Sequence, residues 1–202
     1  MTSILDYGAG NLRSVENTLS EIGAAYRLIH TAAELEIAEK IILPGVGHFG
    51  QMMRALDAMQ VRTALRERIQ AGVPFFGICL GMHALFEDSE EAPDQSGLSI
   101  FKGSVKKFGT GEFGTSNRVP HMGWNTLSPV GNPRLLLGLG PEPYVYFAHS
   151  YYVPETPVAA ATCTYMLPYT AAVEHKNIFG VQFHPEKSGP VGLQLVRNFL
   201  SC

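Results

Sequence analysis

The sequence predicts a three-layer α/β fold, in which helices flank a mostly parallel twisted sheet and the second half adds a small antiparallel β portion. Two observations support this prediction. Short apolar runs alternate with amphipathic helical patterns in the first half, and such a β-α-β-α order gives a parallel sheet with helices on both faces. The second half instead has short alternating segments between Gly and Pro clusters, which favour antiparallel strands and loops.

The first half predicts four strands that alternate with helices. The apolar residues of the helix over 11–22 recur at helical spacing on one face, and Gly23 ends it. The predicted elements are strand 3–6, a turn at Gly8 and Gly10, helix 11–22, strand 26–30, a short helix with a capping box at Thr31 and Glu34, strand 40–43, a helical stretch 49–71 broken near Gln60 and closed by Gly72, strand 74–78 and helix 80–87.

The second half predicts hairpins and loops over 97–126. Further strands are expected at 144–148, 158–164, 170–173 and 178–183, with a closing helix at 190–200. The sequence contains no internal repeat, low-complexity tract or stretch typical of an interdomain linker. We therefore expect residues 1–202 to form one domain.

Composition excludes several classes of protein. The chain of 202 residues is 46% hydrophobic, which is too apolar for bulk disorder, and its 15 Lys and Arg against 18 Asp and Glu leave no basic excess for nucleic acid. Three widely spaced cysteines match neither a disulfide framework nor a zinc site. No signal peptide or membrane-spanning apolar run is present. We expect a soluble cytoplasmic protein without a metal or another cofactor.

The segment Gly77-Ile78-Cys79-Leu80-Gly81 is the sharpest local feature. It follows an apolar strand, precedes a helix and fits the G-x-nucleophile-x-G elbow with Cys as the nucleophile. A helix N-terminus favours a thiolate, and the N–H of Leu80 would point to the site of a developing oxyanion. The alternative interpretation is an inert buried cysteine.

A thiolate that transfers acyl groups needs a base and a group that orients the base. His184 is the candidate base among seven histidines, because Pro185 keeps the chain extended and residues i and i+2 then point the same way. Glu186 would thus reach one imidazole nitrogen while the other faces Cys79. Taken alone, His-Pro-Glu is more typical of a surface turn, and the elbow at Cys79 is what favours the triad.

The segment Pro44-Gly45-Val46-Gly47 offers a second oxyanion donor. It ends the strand expected beside the elbow strand, at the sheet edge where α/β proteins bind ligands, and its glycines permit close approach of a substrate. Residues 45–50 also formally fit the dinucleotide fingerprint G-x-G-x-x-G. That interpretation is disfavoured because the next strand ends in Cys79 and not in an acidic residue.

Together these features resemble the class I, triad-type glutamine amidotransferases over essentially the whole chain. Within that class the sequence is similar to the glutaminase subunits of imidazole glycerol phosphate synthases. The segments that carry the resemblance are ILDYGAGNLRSV at 4–15, LPGVGHFG at 43–50, FFGICLGMHALFE at 75–87, VPHMGWNTL at 119–127, YFAHSYY at 146–152 and FGVQFHPEKSG at 179–189. The resemblance implies a flavodoxin-like fold of the amidotransferase type.

The resemblance also implies residue roles. Cys79 attacks the carboxamide of L-glutamine, His184 transfers the proton, and Glu186 orients His184. Val46 and Leu80 supply the oxyanion amides. The residues implied to contact the substrate are Gly45, Gly47, His83, His149, Ser150 and Tyr151.

One position departs from the family pattern. The fourth residue after the nucleophile is usually Gln in this class and helps to hold the substrate, but here it is His83. Histidine can donate or accept a hydrogen bond, so recognition can persist in altered form, with an effect on glutamine affinity and its pH dependence. The alternative is that His83 only packs on the elbow helix beside Phe86.

Ammonia released from glutamine needs an acceptor, and few residues follow Glu186. We therefore expect a separate partner, which by resemblance is a (β/α)8-barrel cyclase subunit in a heterodimer. The partner would convert a ribulosyl aminoimidazole nucleotide to imidazole glycerol phosphate and an aminoimidazole carboxamide ribotide. Met122 and Trp124, in an apolar turn, and Lys187 are expected to face this partner.

Three other functions stay open from the sequence. The chain could serve another amidotransferase, such as one that makes anthranilate, carbamoyl phosphate or pyridoxal phosphate. It could be a stand-alone cysteine hydrolase of γ-glutamyl amides, which would be fully active without a partner. A silent binding module is disfavoured because Cys79, His184 and Glu186 are all present.

Overall fold

The computed structural model describes residues 1–9, 11–109 and 118–202. The predicted turn at Gly8 and Gly10 lies partly outside this range, because Gly10 is not described. The strands are β1 (Thr2–Leu5), β2 (Tyr26–Ile29), β3 (Ile41–Gly45), β4 (Phe75–Cys79), β5 (Asp88–Ser89), β6 (Ser104–Lys107), β7 (His121–Thr126), β8 (Ser128–Pro129), β9 (Tyr144–His149), β10 (Tyr151–Tyr152), β11 (Ala159–Thr164), β12 (Pro168–His175) and β13 (Ile178–Val181).

The helices lie mainly in the first half, as predicted. They are α1 (Leu12–Ile22), α2 (Ala32–Glu36), α3 (Phe49–Ala58), α4 (Arg62–Gln70), α5 (Leu80–His83) and α6 (Gly189–Leu200), with short 3-10 turns at Arg134–Leu136 and Pro185–Lys187. The capping box of α2 is confirmed, since the Thr31 side chain accepts from the Glu34 amide and the Glu34 carboxylate accepts from the Thr31 amide. The predicted break between α3 and α4 is also confirmed, with Gln60 in a left-handed conformation.

The main sheet has eight strands in the order β2-β1-β3-β4-β13-β12-β11-β8. The five strands from β2 to β13 are parallel, and β12, β11 and β8 continue the sheet in antiparallel fashion. The carboxyl ends of β3, β4 and β13 therefore meet at one edge. This is the edge at which the sequence predicts the site.

Helices cover both faces of this sheet, which confirms the three-layer prediction. Successive strand residues point to opposite faces, so Phe75 packs with the core under α3 and α4 while Phe76 packs with the core under α1 and α6. The central strands are apolar throughout because both of their faces are buried. No helix in the described part of the chain is both long and apolar enough to span a membrane.

Helix α5 ends at His83, which is earlier than the predicted end at residue 87. The carbonyl groups that follow accept hydrogen bonds from a distant segment: Leu98 N–H donates to Ala84, Phe101 N–H to Leu85, and Gly97 N–H to Glu87. Because these acceptors are used by tertiary contacts, the helical pattern of the sequence does not continue as a helix. This contact between segments is not visible in local periodicity.

The prediction of hairpins over 97–126 is wrong for the described residues. Strand β6 pairs parallel with β5 and antiparallel with β10, and β7 pairs antiparallel with β9. The strands of this region therefore pair with strands outside it and not with each other. The segment with Met122 and Trp124 also lies in strand β7 and not in a turn.

Candidate active site

Cys79 lies at the sharp junction between β4 and α5. Its backbone has φ 53° and ψ −105°, a conformation that residues with a side chain rarely adopt. Gly45, at the end of β3, is the register partner of Cys79. Strain of this kind persists only where the surrounding structure enforces it, and it is concentrated at functional sites.

The glycines of the elbow act through close packing. The elbow residue with a positive φ is Cys79 itself, and not Gly77 or Gly81. A Cβ on Gly77 would lie 2.4 Å from the carbonyl oxygen of Gly81, and one on Gly45 would lie 2.7 Å from the Cβ of Leu80. The absence of these side chains lets α5 start directly above β3 and β4.

His184 and Glu186 lie beside the elbow, immediately after β13. Nδ1 of His184 is 2.8 Å from Oε1 of Glu186, and both side chains are almost fully buried. The extended segment predicted here is wrong beyond His184: Pro185–Lys187 forms a 3-10 turn, and this turn returns the Glu186 carboxylate to the imidazole. The Ser188 hydroxyl holds the turn by donating to the His184 carbonyl oxygen at 2.7 Å.

The electrostatics of His184 link it to both neighbours. Burial lowers the pKa of its imidazole, but hydrogen bonds with Cys79 and Glu186, together with their negative charges, outweigh burial and raise the pKa above its usual range. The charged imidazole is thus stabilised between a sulfur and a carboxylate. Such an arrangement can hold a thiolate and later deliver a proton to a leaving group.

A cleft of about 280 Å³ opens above Cys79 at the carboxyl edge of the sheet. It is lined by residues from the elbow, the end of β3, β7 and the segment after β9: Val46, Gly47, Cys79, Leu80, His83, Glu91, Pro120, Met122, Ala148, His149, Ser150, Tyr151 and His184. Most residues that the sequence assigned to the substrate are therefore brought together. Gly45 is the exception, because it is buried beneath the cleft.

The two residues expected to supply the oxyanion amides both line the cleft. Leu80 is the first residue of α5 and directly follows the nucleophile. Val46 follows the end of β3 and is 38% exposed at the rim of the cleft. Since β3 and β4 are adjacent parallel strands, both amides belong to the same sheet edge.

Two further polar residues of the site were not predicted from the sequence. Glu91 lies on the cleft wall, where its Oε2 accepts from the Phe49 amide at 2.7 Å at the start of α3. Gln182 is fully buried beside the nucleophile, and its Nε2 lies 3.6 Å from the Cys79 sulfur. Gln182 was detectable as a polar residue in an otherwise apolar strand, whereas Glu91 lies in an irregular segment without a pattern.

His83 is buried and does not merely pack beside Phe86. Its Nε2 is 2.6 Å from Oε1 of Gln182. Burial lowers the pKa of His83 to about 4, against a smaller opposite effect of the Gln182 hydrogen bond. The ring is therefore neutral at neutral pH.

A second group of buried rings lies behind the cleft wall. His149 donates from Nδ1 to the Tyr151 carbonyl oxygen at 2.8 Å, and its Nε2 lies 3.1 Å from Nδ1 of His121. The Tyr169 hydroxyl is within 3.3 Å of both histidines. The His149 side chain is thus occupied by protein groups, and burial lowers its pKa well below the usual value.

The residues predicted to face a partner are exposed next to the cleft. Met122 is 64% and Trp124 46% exposed. The Trp124 ring stacks on Tyr144 with centroids 5.5 Å apart, and the Lys187 ammonium lies 5.7 Å from the centroid of Tyr146. We call Met122, Trp124, Tyr144, Tyr146 and Lys187 the aromatic face.

The fold and this cleft define the protein class. The family model described as glutamine amidotransferase class-I matches residues 3–201, so the chain belongs to that family. Solved structures share the fold: a glutamine amidotransferase has a TM-score of 0.77 at 20% identity, covering 99% of this chain and 97% of that one. The structure of PurLQS from Thermotoga maritima has a TM-score of 0.74 at 19% identity, with the same two coverages.

Sequence relatives narrow the assignment. The chain is 45% identical over 198 residues to the imidazole glycerol phosphate synthase subunit HisH of Deinococcus radiodurans, covering 97% of this chain and 91% of the relative. It is 47% identical over 204 residues to the subunit of the same name from Thermosynechococcus vestitus, covering 98% and 95%. Within the class-I glutamine amidotransferases, these relatives place the chain in the HisH family.

Proposed function

We propose that this protein is the glutaminase subunit of an imidazole glycerol phosphate synthase in histidine biosynthesis. It would hydrolyse L-glutamine to glutamate and ammonia through a Cys79 thioester. The observation that carries this proposal is the meeting of Cys79, His184 and Glu186 at one end of a cleft. The family match over residues 3–201 supports a single glutaminase domain.

The chemistry follows from the arrangement of these groups. The Cys79 thiolate attacks the carboxamide carbon, and the amides of Val46 and Leu80 hold the oxyanion that forms. His184, oriented by Glu186, gives its proton to the leaving nitrogen, and ammonia departs. The neutral His184 then takes a proton from water, which attacks the thioester and releases glutamate. This sequence of acyl transfers needs no electron transfer, and we propose that it uses no metal or cofactor.

The cleft also contains groups for the amino-acid end of glutamine. Among the residues that the structure describes, Glu91 is the one carboxylate that lines the cleft, so we assign Glu91 to the substrate ammonium group. The His149 ring is already bonded to Tyr151, His121 and Tyr169. Contacts from His149, Ser150 and Tyr151 to the substrate carboxylate would therefore come through the main chain. Gly47 allows the substrate to approach the rim closely.

A partner subunit would accept the ammonia. The relatives are named as a subunit of imidazole glycerol phosphate synthase, and we propose a (β/α)8-barrel cyclase as the partner in a heterodimer. The aromatic face fits this role because it exposes the large apolar side chains of Met122, Trp124 and Tyr144, and Met122 also lines the cleft. We also propose a cytoplasmic location, in keeping with three free cysteines.

The deciding experiment measures glutamate release by the purified chain, alone and with the cyclase subunit and its nucleotide ligand. Cys79→Ala serves as the blank. We expect activity that depends on the loaded partner and disappears in Cys79→Ala. Full activity without a partner would instead indicate a stand-alone hydrolase, and activity retained in Cys79→Ala would overturn the assignment of the nucleophile.

Partner binding is tested separately by Trp124→Ala. Removal of an interface tryptophan should weaken cyclase binding roughly 30-fold, the effect of a hot spot of about 2 kcal/mol. Leu137→Ala is the matched control, because Leu137 is also an exposed apolar residue (71%) but lies outside the cleft and the aromatic face. Equal affinities for wild type and Trp124→Ala would exclude this face as the docking site.

A further inference from the structure

Gln182 contacts the nucleophile but takes no part in the proposed reaction. It follows β13 directly, is fully buried, and places Nε2 3.6 Å from the Cys79 sulfur. Its backbone N–H donates to Ala171 at 2.8 Å, so the residue is anchored to the neighbouring strand. A primary amide in this place can present either a donor or an acceptor to the sulfur, depending on the orientation of its end group.

His83 decides that orientation. Its Nε2 is 2.6 Å from Oε1 of Gln182, and an amide oxygen can only accept, so Nε2 must carry the proton. The ring is neutral at neutral pH because burial lowers its pKa to about 4. Its Nδ1 is then a bare acceptor, and it has no hydrogen-bond partner within the described residues.

The opposite amide orientation would be unfavourable at both ends. It would turn the amide oxygen towards a sulfur that carries negative charge during catalysis. It would also turn an amide N–H towards Nε2, which is satisfied only if His83 shifts its proton to Nδ1. The favoured chain of hydrogen bonds therefore runs in one direction, with His83 donating to Gln182 and Gln182 donating to Cys79.

We propose that His83 and Gln182 are positioning residues for the nucleophile: the Nε2–H of His83 fixes the Gln182 amide so that its N–H group supports the Cys79 thiolate. The inference rests on the proposed function in that it takes Cys79 as the nucleophile. Neither residue needs to touch glutamine for this purpose. The predicted effect is on the reactivity of the sulfur and on kcat more than on KM.

Other titratable groups around the sulfur do not replace this contact. His184, which precedes the 3-10 turn, also hydrogen-bonds Cys79. The negative charge of Cys79 also acts on the hydroxyl groups of Tyr7 and Tyr169. Burial raises the pKa of both tyrosines well above the usual value, so they stay neutral. Burial lowers the pKa of His149, which interacts electrostatically with His83, so His149 also stays neutral.

The test is the pH profile of Cys79 alkylation by iodoacetamide, followed on the Cys79 peptide by mass spectrometry. We expect His83→Leu and Gln182→Leu to slow alkylation at pH 7 about three- to tenfold and to move the profile to higher pH, because the thiolate loses a donor. His83→Gln keeps a donor at the same place and should restore the wild-type profile. Melting curves for all variants establish that they are folded.

Two results would overturn the proposal. One is a His83→Leu profile that superimposes on the wild type; the other is a His83→Gln profile shifted as far as that of His83→Leu. Alkylation reports on the sulfur whether or not glutamine is hydrolysed, so failure here is distinct from failure of the proposed function.

A measurement on the wild type avoids reliance on the folding of variants. Long-range ¹⁵N–¹H correlation spectra of histidine side chains identify which ring nitrogen carries the proton. We expect His83 to be a neutral Nε2–H tautomer throughout pH 5.5–8.5, because burial lowers its pKa to about 4. A Nδ1–H tautomer, or a doubly protonated ring at pH 6, would contradict the hydrogen-bond direction on which the proposal depends.

Discussion

Gly81 packs directly against the backbone carbonyl of Leu43: a Cβ atom on Gly81 would lie 2.0 Å from that oxygen. This contact joins the first turn of α5 to β3. It therefore sets the distance between the Leu80 amide and the Val46 amide, which directly follows the end of β3. The spacing of the two proposed oxyanion donors depends on the absence of one methyl group.

Gly81→Ala should consequently destabilise the protein and reduce glutaminase activity. The added methyl group meets backbone, which cannot rotate away, so α5 must move from β3 at a cost of about 1–3 kcal/mol. Chemical denaturation measures the stability, and glutamate release with the partner measures activity. Gly140→Ala is the control, since a Cβ there meets nothing within 4 Å. Equal stability of the two variants would contradict the packing argument.

The strained backbone of Cys79 predicts an unusual stability effect. Cys79→Gly should be more stable than Cys79→Ala by about 1 kcal/mol, because glycine adopts φ 53° without steric strain. For a chain of this size, that corresponds to a melting temperature higher by about 2–4 °C. Both variants lack the thiol, so the comparison isolates the backbone.

Cys163 provides the matched comparison for this prediction. It is buried in the regular strand β11, where glycine should be less stable than alanine by about 0.5–1 kcal/mol. A Cys79→Gly variant that melts below Cys79→Ala would show that the elbow is not strained at this residue.

Local signals were sufficient for the parallel half of the fold. The strands β1 to β4 alternate with helices as the sequence pattern predicts, and the Thr31–Glu34 capping box and the break at Gln60 are encoded within a few residues. The end of α5 was not predictable, because it depends on hydrogen bonds from residues 97–101. The same holds for β6 and β7, whose partner strands lie far along the chain.

The site shows the same division between local and long-range information. The elbow and the His-Pro-Glu segment could be predicted because nucleophile, base and acid occur in short motifs. Gln182 and Glu91 were missed because only the fold brings them to Cys79 and to the cleft. His83 was identified as a departure from the family, but its partner could not be found without the register of β13 beside β4.

Three buried neutral histidines predict a marked loss of stability in acid. Burial lowers the pKa of His83 and of His121 to about 4, and that of His149 well below its usual value. Between pH 6.5 and 4 the unfolded chain binds protons that the folded chain excludes. The stability they contribute is thus present above pH 6.5 and is lost as the pH falls, by up to about 1.4 kcal/mol per pH unit for each histidine.

Denaturant titrations at a series of pH values test this prediction. His83→Gln removes one of the three histidines that bind a proton in the unfolded chain but not in the folded one. Its free energy of unfolding should therefore fall less steeply between pH 6.5 and 4 than that of the wild type. His175→Gln, at an exposed position, is the control and should keep the wild-type slope. If His83→Gln has the same slope as the wild type, His83 does not stay neutral in the folded protein.

The position of Glu91 predicts that its substitution weakens substrate binding and leaves the chemical step almost unchanged. Its carboxylate lies on the cleft wall, as does Tyr151. Burial raises the pKa of the Tyr151 hydroxyl, and the negative charge of Glu91 raises it further. Glu91→Gln removes the charge that we assign to the substrate ammonium group but keeps an oxygen that can accept from the Phe49 amide. We expect KM for glutamine to rise about ten- to hundredfold, the loss of a charge-assisted hydrogen bond, with kcat changed little.

Steady-state kinetics of the assembled enzyme distinguish this outcome from a structural defect. Glu90→Gln is the matched control, because Glu90 is the adjacent residue but pairs with Lys106 at 3.1 Å outside the cleft, and KM should not change. A defect at the start of α3 would lower the melting temperature and reduce kcat together. An unchanged KM in Glu91→Gln would mean that the substrate ammonium group is held elsewhere, and the main-chain segment at Ser150 would then be the remaining candidate in the cleft.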